Sequence, residues 1–175
     1  MKQWIQHWDL RVIQHLQERW SSSMMDTIML FARNPYTWSP LYLFLAGWMW
    51  MRFGRKGLRW CLFFLLTFAI SDFVGARLLK PFVHRIRPCM DTDVGPFIRH
   101  VVACGSGYSF PSVHACNHFA LAAFMTGTLQ RLYPATAPLV FAWALLVSLA
   151  QVYVGVHYPS DVLGGACIGC LIGWI

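Results

Sequence analysis

Residues 58–88 read LRWCLFFLLTFAISDFVGARLLKPFVHRIRP. The part from Leu58 to Leu79 is almost wholly apolar, and the remainder gathers Lys80, His84, Arg85 and Arg87. A bilayer core of about 30 Å needs about 20 residues of α-helix at a rise of 1.5 Å each. The stretch therefore predicts a membrane-spanning helix that delivers a cluster of cations to one membrane face.

The whole chain agrees with that reading. Of its 175 residues, 57% are hydrophobic and 12% charged, with a net charge of +7, against about 25% charged in soluble domains. Its mean hydropathy is +0.48. Such a composition excludes disorder, whose mark is low hydrophobicity. It argues against a water-soluble domain, whose surface so few charges would hardly cover. Six cysteines spread over this length do not fit a disulfide-stapled secreted domain. Four further apolar runs, Trp38–Phe53, Ser112–Gln130, Ala135–Val156 and Ser160–Ile175, complete the expectation of an all-α integral membrane bundle of about five spans. The first apolar run comes too late, and lacks a cleavage site, to be a signal peptide.

Residues 3–20 have a different pattern. Trp4, Ile5, Trp8, Val12, Leu16 and Trp20 recur at three- and four-residue steps among polar residues. That is an amphipathic helix suited to lying in the membrane interface, to packing flat on the spans, or to both. Ser21-Ser22-Ser23 breaks it, and a second short helix is expected over Met24–Arg33. The chain thus divides into N-terminal helices at 1–37 and a transmembrane domain at 38–175. Arg52, Arg55, Lys56 and Arg59 crowd the first inter-span loop and Arg131 lies between the third and fourth spans, which puts these loops on the cytoplasmic side. The segment 80–111 and the turn at 157–160 then share the opposite face, and the cations there (Lys80, Arg85, Arg87, Arg99) read as ligand groups instead of topology signals.

Three segments far apart in sequence bring chemistry to that face. Lys80-Pro-Phe-Val-His-Arg-Ile-Arg87-Pro88 closes the second span, Pro111-Ser112-Val113-His114 opens the third, and Gln151 through His157 to Asp161 joins the last two. Each has a plain structural explanation: snorkelling cations, a helix cap by Ser112, and a cap by Ser160 or Asp161 beside an incidental histidine. Together they suit an anion site better. Arginine presents a planar fork to phosphate oxygens and lysine a point charge. Pro111 suits the first turn of a helix, whose free N–H groups attract anions. An Asp at membrane depth needs a partner, and Asp161 behind His157 would leave one imidazole nitrogen free as nucleophile or base.

The order Lys, six residues, Arg-Pro; Pro-Ser-x-His; His, three residues, Asp resembles the type 2 phosphatidic acid phosphatases (PAP2 family), membrane relatives of vanadium haloperoxidases and bacterial acid phosphatases. The resemblance covers roughly residues 38–175. It implies a phosphatase that uses no metal or other cofactor. His157 would be the nucleophile, passing through a phosphohistidine, Asp161 would orient it, and His114 would act as general acid and base. Lys80, Arg87, Ser112 and the Val113 backbone N–H would hold the phosphate. It also implies a compact bacterial enzyme of the inner membrane with its site facing the periplasm. The substrate would be a lipid phosphate: lipid A phosphate, polyprenyl pyrophosphate, phosphatidylglycerol phosphate or phosphatidic acid. Membrane lipids are the expected partners and nucleic acid is not.

Two positions depart from the family pattern. Val113 stands where glycine is usual, and Ala150-Gln151 where Ser-Arg is usual. Gln151 can donate a hydrogen bond to phosphate without charge, and a lost charge-assisted contact is worth roughly 1.5–3 kcal/mol. Arg85, Arg99 and His118 are the candidates to replace it. A weakened relative that binds or moves lipid phosphates is the alternative; retention of His157, Asp161 and His114 together favours an enzyme. A haloperoxidase is disfavoured by the spans, and a channel by the confinement of polar groups to one face. Cys89 and Cys104 bracket the 80–111 loop and are expected to pair, whereas Cys167 and Cys170 read as small packing residues of the last helix.

Overall fold

The computed structural model describes residues 2–174, and among these every regular element is helical. Helix α1 (Lys2–Trp20) and helix α2 (Ser23–Arg33) come first, followed by α3 (Ser39–Phe53) and α4 (Arg55–Asp72). Helix α4 runs on without a break through a π-helical stretch, Phe73–Leu79, into the short α5 (Lys80–Val83). An irregular segment then leads to α6 (Val113–Leu129), α7 (Thr136–Tyr153) and α8 (Pro159–Trp174). All five expected spans are thus helical, with ends close to those read from sequence. Two runs are long and apolar enough to cross a membrane by themselves, Arg55–Met90 and Thr136–Tyr153; α3, α6 and α8 are shorter. Large apolar side chains such as Leu65 (62% exposed), Leu139 (67%) and Leu171 (69%) face outward. That is the reverse of a soluble surface, where apolar patches this extensive mark a membrane or a partner.

Helix α6 lies at the centre, packed by α8, α7 and α4. Its contact with α8 is close because glycines recur every four residues. A β-carbon on Gly165, Gly169 or Gly173 would run into the backbone carbonyls of Ser112, Cys116 and Ala120 respectively. This small-residue stripe, typical of helices that associate in lipid, presses the start of α8 onto the start of α6. The packing expected of the C-terminal cysteines falls to these glycines: Cys167 is exposed and Cys170 only partly covered. On the other flank Met49, Phe64, Leu121, Met125 and Val140 form an apolar cluster.

The N-terminal helices dock on the loop end of the bundle. The buried stripe of α1 is Asp9, Ile13 and Gln17, whereas Trp4 (68% exposed) and Trp20 (47%) point away from the protein. Gln17 clamps two chain segments at once. Its Nε2 donates to the carbonyls of Arg99 (2.9 Å) and Tyr153 (2.8 Å), and its Oε1 accepts from the Arg99 N–H (2.7 Å). In α2, Met29 and Ala32 are buried against Ala150, Tyr153, Val154 and Val156, at the end of α7. Helix α2 is capped by Ser22, which accepts from the Met25 N–H at 3.1 Å.

Candidate active site

The three segments singled out in the sequence meet at one end of the bundle around a cavity of about 270 Å³. Lys80, Arg87, Val113, His114, Gln151 and His157 line it, together with Arg33, Ala103, Gly105 and Val156. Each arrives by a local device. The π-helical turn widens the end of α4 and sets Lys80 on the cavity side; such insertions are frequent at functional sites. Arg87 is held by its own side chain, which donates to the carbonyls of Gly107 (3.2 Å) and Val156 (3.4 Å). His114 sits in the first turn of α6. His157 sits in the α7–α8 turn, where Gly155 takes φ +80° and a β-carbon would come within 3.2 Å of the Arg99 carbonyl. The His157 N–H closes that turn by donating to the Gln151 carbonyl at 3.3 Å.

Behind His157 is a fully buried carboxylate with both oxygens hydrogen-bonded. Asp161 Oδ1 takes a hydrogen bond from Arg85 at 2.6 Å, and Oδ2 takes one from the Tyr158 N–H at 2.9 Å and another from the Ser109 hydroxyl. His157 Nδ1 is 3.6 Å from Oδ2 and 3.5 Å from Ser109 Oγ. A proton on Nδ1 therefore faces both Ser109 and Asp161, which leaves the Nε2 lone pair free. Burial pushes the His157 imidazole below the usual histidine range, against the opposing pull of Asp161.

Several residues of this arrangement were not legible as site residues in the sequence. Arg85, a candidate phosphate cation, is turned behind the His157–Asp161 pair instead. It bridges Asp161 and Asp9 (2.7 Å), and its guanidinium lies 4.0 Å from the centre of the Tyr158 ring. Asp9, fully buried on α1, also accepts from the Ser160 N–H (2.9 Å) and hydroxyl (2.6 Å). It thereby caps α8 from outside. Asp9, Ile13 and Gln17 share one face of α1 by their four-residue spacing, but the partners of Asp9 lie 76 and 151 residues away in sequence.

Ser112 is fully buried and does not line the cavity. Its Oγ caps α6, accepting from the Ala115 N–H at 3.5 Å, while its own N–H donates to the Asp161 carbonyl at 3.1 Å. The adjacent Val113 does line the cavity, and its side chain finds room over Gly75 of the π-helical turn. Gln151 lines the cavity as well, buried and with its Nε2 unpartnered. Neither Arg99 nor His118 lines the cavity. Arg99 pairs with Asp26 on α2 and approaches Tyr153, while His118 Nδ1 bonds the His114 carbonyl (2.8 Å) with its ring against Trp143. Cys89 and Cys104 form the expected disulfide, next to the Ala103–Gly105 wall of the cavity.

Comparison with known proteins follows the same lines. The family model for the PAP2 superfamily matches residues 60–175. The lipid A 4'-phosphatase of Bacteroides thetaiotaomicron is 31% identical over 161 residues, spanning 88% of this chain and 69% of that protein. Phosphatidylglycerophosphatase B of Bacillus subtilis is 28% identical over 167 residues, spanning 90% of this chain and 74% of that protein. The fold is shared with the crystal structure of Aquifex aeolicus LpxE, at a TM-score of 0.72 and 24% identity over 94% of this chain and 91% of that one.

Proposed function

This chain belongs to the PAP2 superfamily and is a hydrolase of phosphoric ester bonds, and from that premise we propose that it removes phosphate from a membrane lipid headgroup through a phosphohistidine. The observation that carries the proposal is the single cavity onto which His157, His114, Lys80 and Arg87 all open, with Asp161 and Ser109 behind His157. His157 Nε2 attacks phosphorus while the P–O bond to the lipid alcohol breaks, and His114 gives its proton to the departing oxygen. His114 then takes a proton from water, whose oxygen forms the new bond to phosphorus. The N–P bond breaks, its electron pair returns to His157, and orthophosphate leaves. Lys80, Arg87 and the Val113 N–H at the start of α6 face the charge that develops on the phosphoryl oxygens. Phosphate monoesters hydrolyse so slowly in water that such groups must together lower the barrier by on the order of 20 kcal/mol.

The cavity size supports a substrate that inserts only its phosphate. At about 270 Å³ it is below the roughly 300–1,000 Å³ of sites that enclose a whole small molecule. The rest of the substrate would stay outside, in the bilayer. The outward Trp4 and Trp20 of α1, on the same end of the bundle, suit the headgroup layer. The basic turn Arg52–Arg59 is at the opposite end of α4, about 30 Å away by helix rise, which favours a periplasmic site in an inner membrane. The named relatives favour a lipid A phosphate as the first substrate to test.

The test is phosphate release from micelles of lipid A, polyprenyl pyrophosphate, phosphatidylglycerol phosphate and phosphatidic acid, with EDTA present throughout. We expect release from at least one lipid that survives chelation and falls at least a thousandfold in His157→Ala. Intact lipid binding without release by the parent protein would replace this reading with that of a lipid-phosphate binder.

A further inference from the structure

The phosphate cavity holds a third cation that does not come from the matched family segment: Arg33, the last residue of α2. A basic residue in the final helical turn ordinarily points into water and favours the helix dipole from there. Arg33 instead has a buried Nε with no hydrogen-bond partner, on the wall of the cavity that contains Lys80, Arg87 and His157. The other unpartnered buried nitrogen on that wall is Gln151 Nε2. Two buried donors without acceptors in one cavity are a costly arrangement unless a ligand fills it. Among the described residues no carboxylate lines the cavity; Asp161 acts on Lys80 and Arg87 only from behind the wall, and no carboxylate is paired with Arg33. An anion with several acceptor oxygens would answer both needs.

The packing explains how Arg33 reaches this place. Ala32, its neighbour, is buried against Ala150 and Val156, the neighbours of Gln151 and His157. The α2 terminus is pinned on its other side by Trp38, whose Nε1 donates to the Ala32 carbonyl at 2.8 Å, and by the Asn34 N–H, which donates to the Phe31 carbonyl. The charge absent from position 151 is thus present on the residue that follows Ala32, a member of the same buried cluster as Ala150.

We infer that Arg33 is a phosphate-binding residue of this site, supplying from the N-terminal helix the cation that Gln151 does not provide. The inference deepens the proposed function and rests on it for the identity of the physiological ligand, a phosphorylated lipid. It makes the anion site a joint product of residues 1–37 and the bundle.

The experiment uses the full chain in detergent with two readouts: affinity for inorganic phosphate by calorimetry, and release from the best lipid substrate. Arg33→Gln should weaken phosphate binding roughly 10- to 150-fold, the worth of one charge-assisted contact. Arg33→Lys, which keeps the charge, should stay within a few-fold of the parent. Gln151→Arg in the Arg33→Gln background should restore most of the affinity, with thermal unfolding of each variant close to the parent. Parent-like phosphate affinity in Arg33→Gln overturns the assignment, as does failure of the double substitution to regain it. Equal weakness of the Lys and Gln variants, or a parent that binds no inorganic phosphate, does the same. A parent that binds phosphate in the expected pattern but hydrolyses no lipid would leave Arg33 in place and remove the enzymatic reading.

Discussion

In the proposed mechanism His157 is the nucleophile, and its surroundings set when it can act. It is buried, with Ser109 and Asp161 at Nδ1 and cations across the cavity. Burial pushes its imidazole below the usual histidine range, so the neutral form, the one that would attack phosphorus, persists to more acid pH than for a free imidazole. We expect the acid limb of kcat/KM, corrected for ionisation of the substrate, to have its midpoint below pH 6.5. Asp161→Asn removes the carboxylate that opposes this shift, so it should move the limb further toward acid while lowering kcat. An acid limb above pH 6.5 that shifts in neither direction with Asp161→Asn would contradict this placement of His157. At the same scale, Val113 and Gln151 depart from the family pattern in different ways. The valine side chain is accommodated by Gly75, whereas the glutamine leaves a charge to be made up elsewhere in the chain.

Two elements outside the helical core hold the site in shape. The first is α1, whose Asp9 caps α8 and shares Arg85 with Asp161. Asp9→Ala would leave the Ser160 N–H without its acceptor and Arg85 with one carboxylate instead of two. Loss of a cap costs about 1 kcal/mol and breaking a buried ion pair about 3–5 kcal/mol; Arg85 is partly exposed, so about 2–4 kcal/mol is expected in total. Thermal unfolding measures that loss, and kcat should fall with it because Arg85, the partner of Asp161, is then held from one side only. An unchanged melting temperature would show that α1 only rests on the bundle. The second element is the Cys89–Cys104 disulfide, which closes a separation of 15 residues beside Ala103 and Gly105. A loop of this length is worth about 3 kcal/mol when cross-linked. Cys89→Ser together with Cys104→Ser should lower stability by about that much and raise KM for the lipid, as the wall of the cavity loosens. A variant with parental KM and melting temperature would show that the loop holds itself in place.

At the scale of the whole molecule, the charge distribution separates two ends. Arg52, Arg55, Lys56 and Arg59 are exposed at one end of α4, while at the other end Arg85 and Arg99 pair with Asp9, Asp161 and Asp26, and Lys80, Arg87 and Arg33 face the cavity. In the proposed function, a helical bundle with its reactive groups at one end would meet the lipid phosphate at headgroup depth. Hydrophobic run length and motif spacing made the helices and the pairing of His157 with Asp161 legible, because both depend on residues near each other in sequence. The Cys89–Cys104 bridge was legible for the same reason. Proximity in sequence could not reveal Asp9, Ser109 or Arg33, whose roles exist only after segments up to 150 residues apart are packed together. Arg85 shows the limit most plainly: its charge and place in the motif suited a phosphate ligand, yet Asp9 on a distant helix draws it to the back of the site. By itself the sequence determined that the chain is an apolar helical bundle with three chemical segments at one end, since burial in lipid and helical periodicity are properties of short windows. Only the tertiary structure decided which cations face the cavity and which brace its back wall, because an arginine pairs with whatever carboxylate the fold brings near.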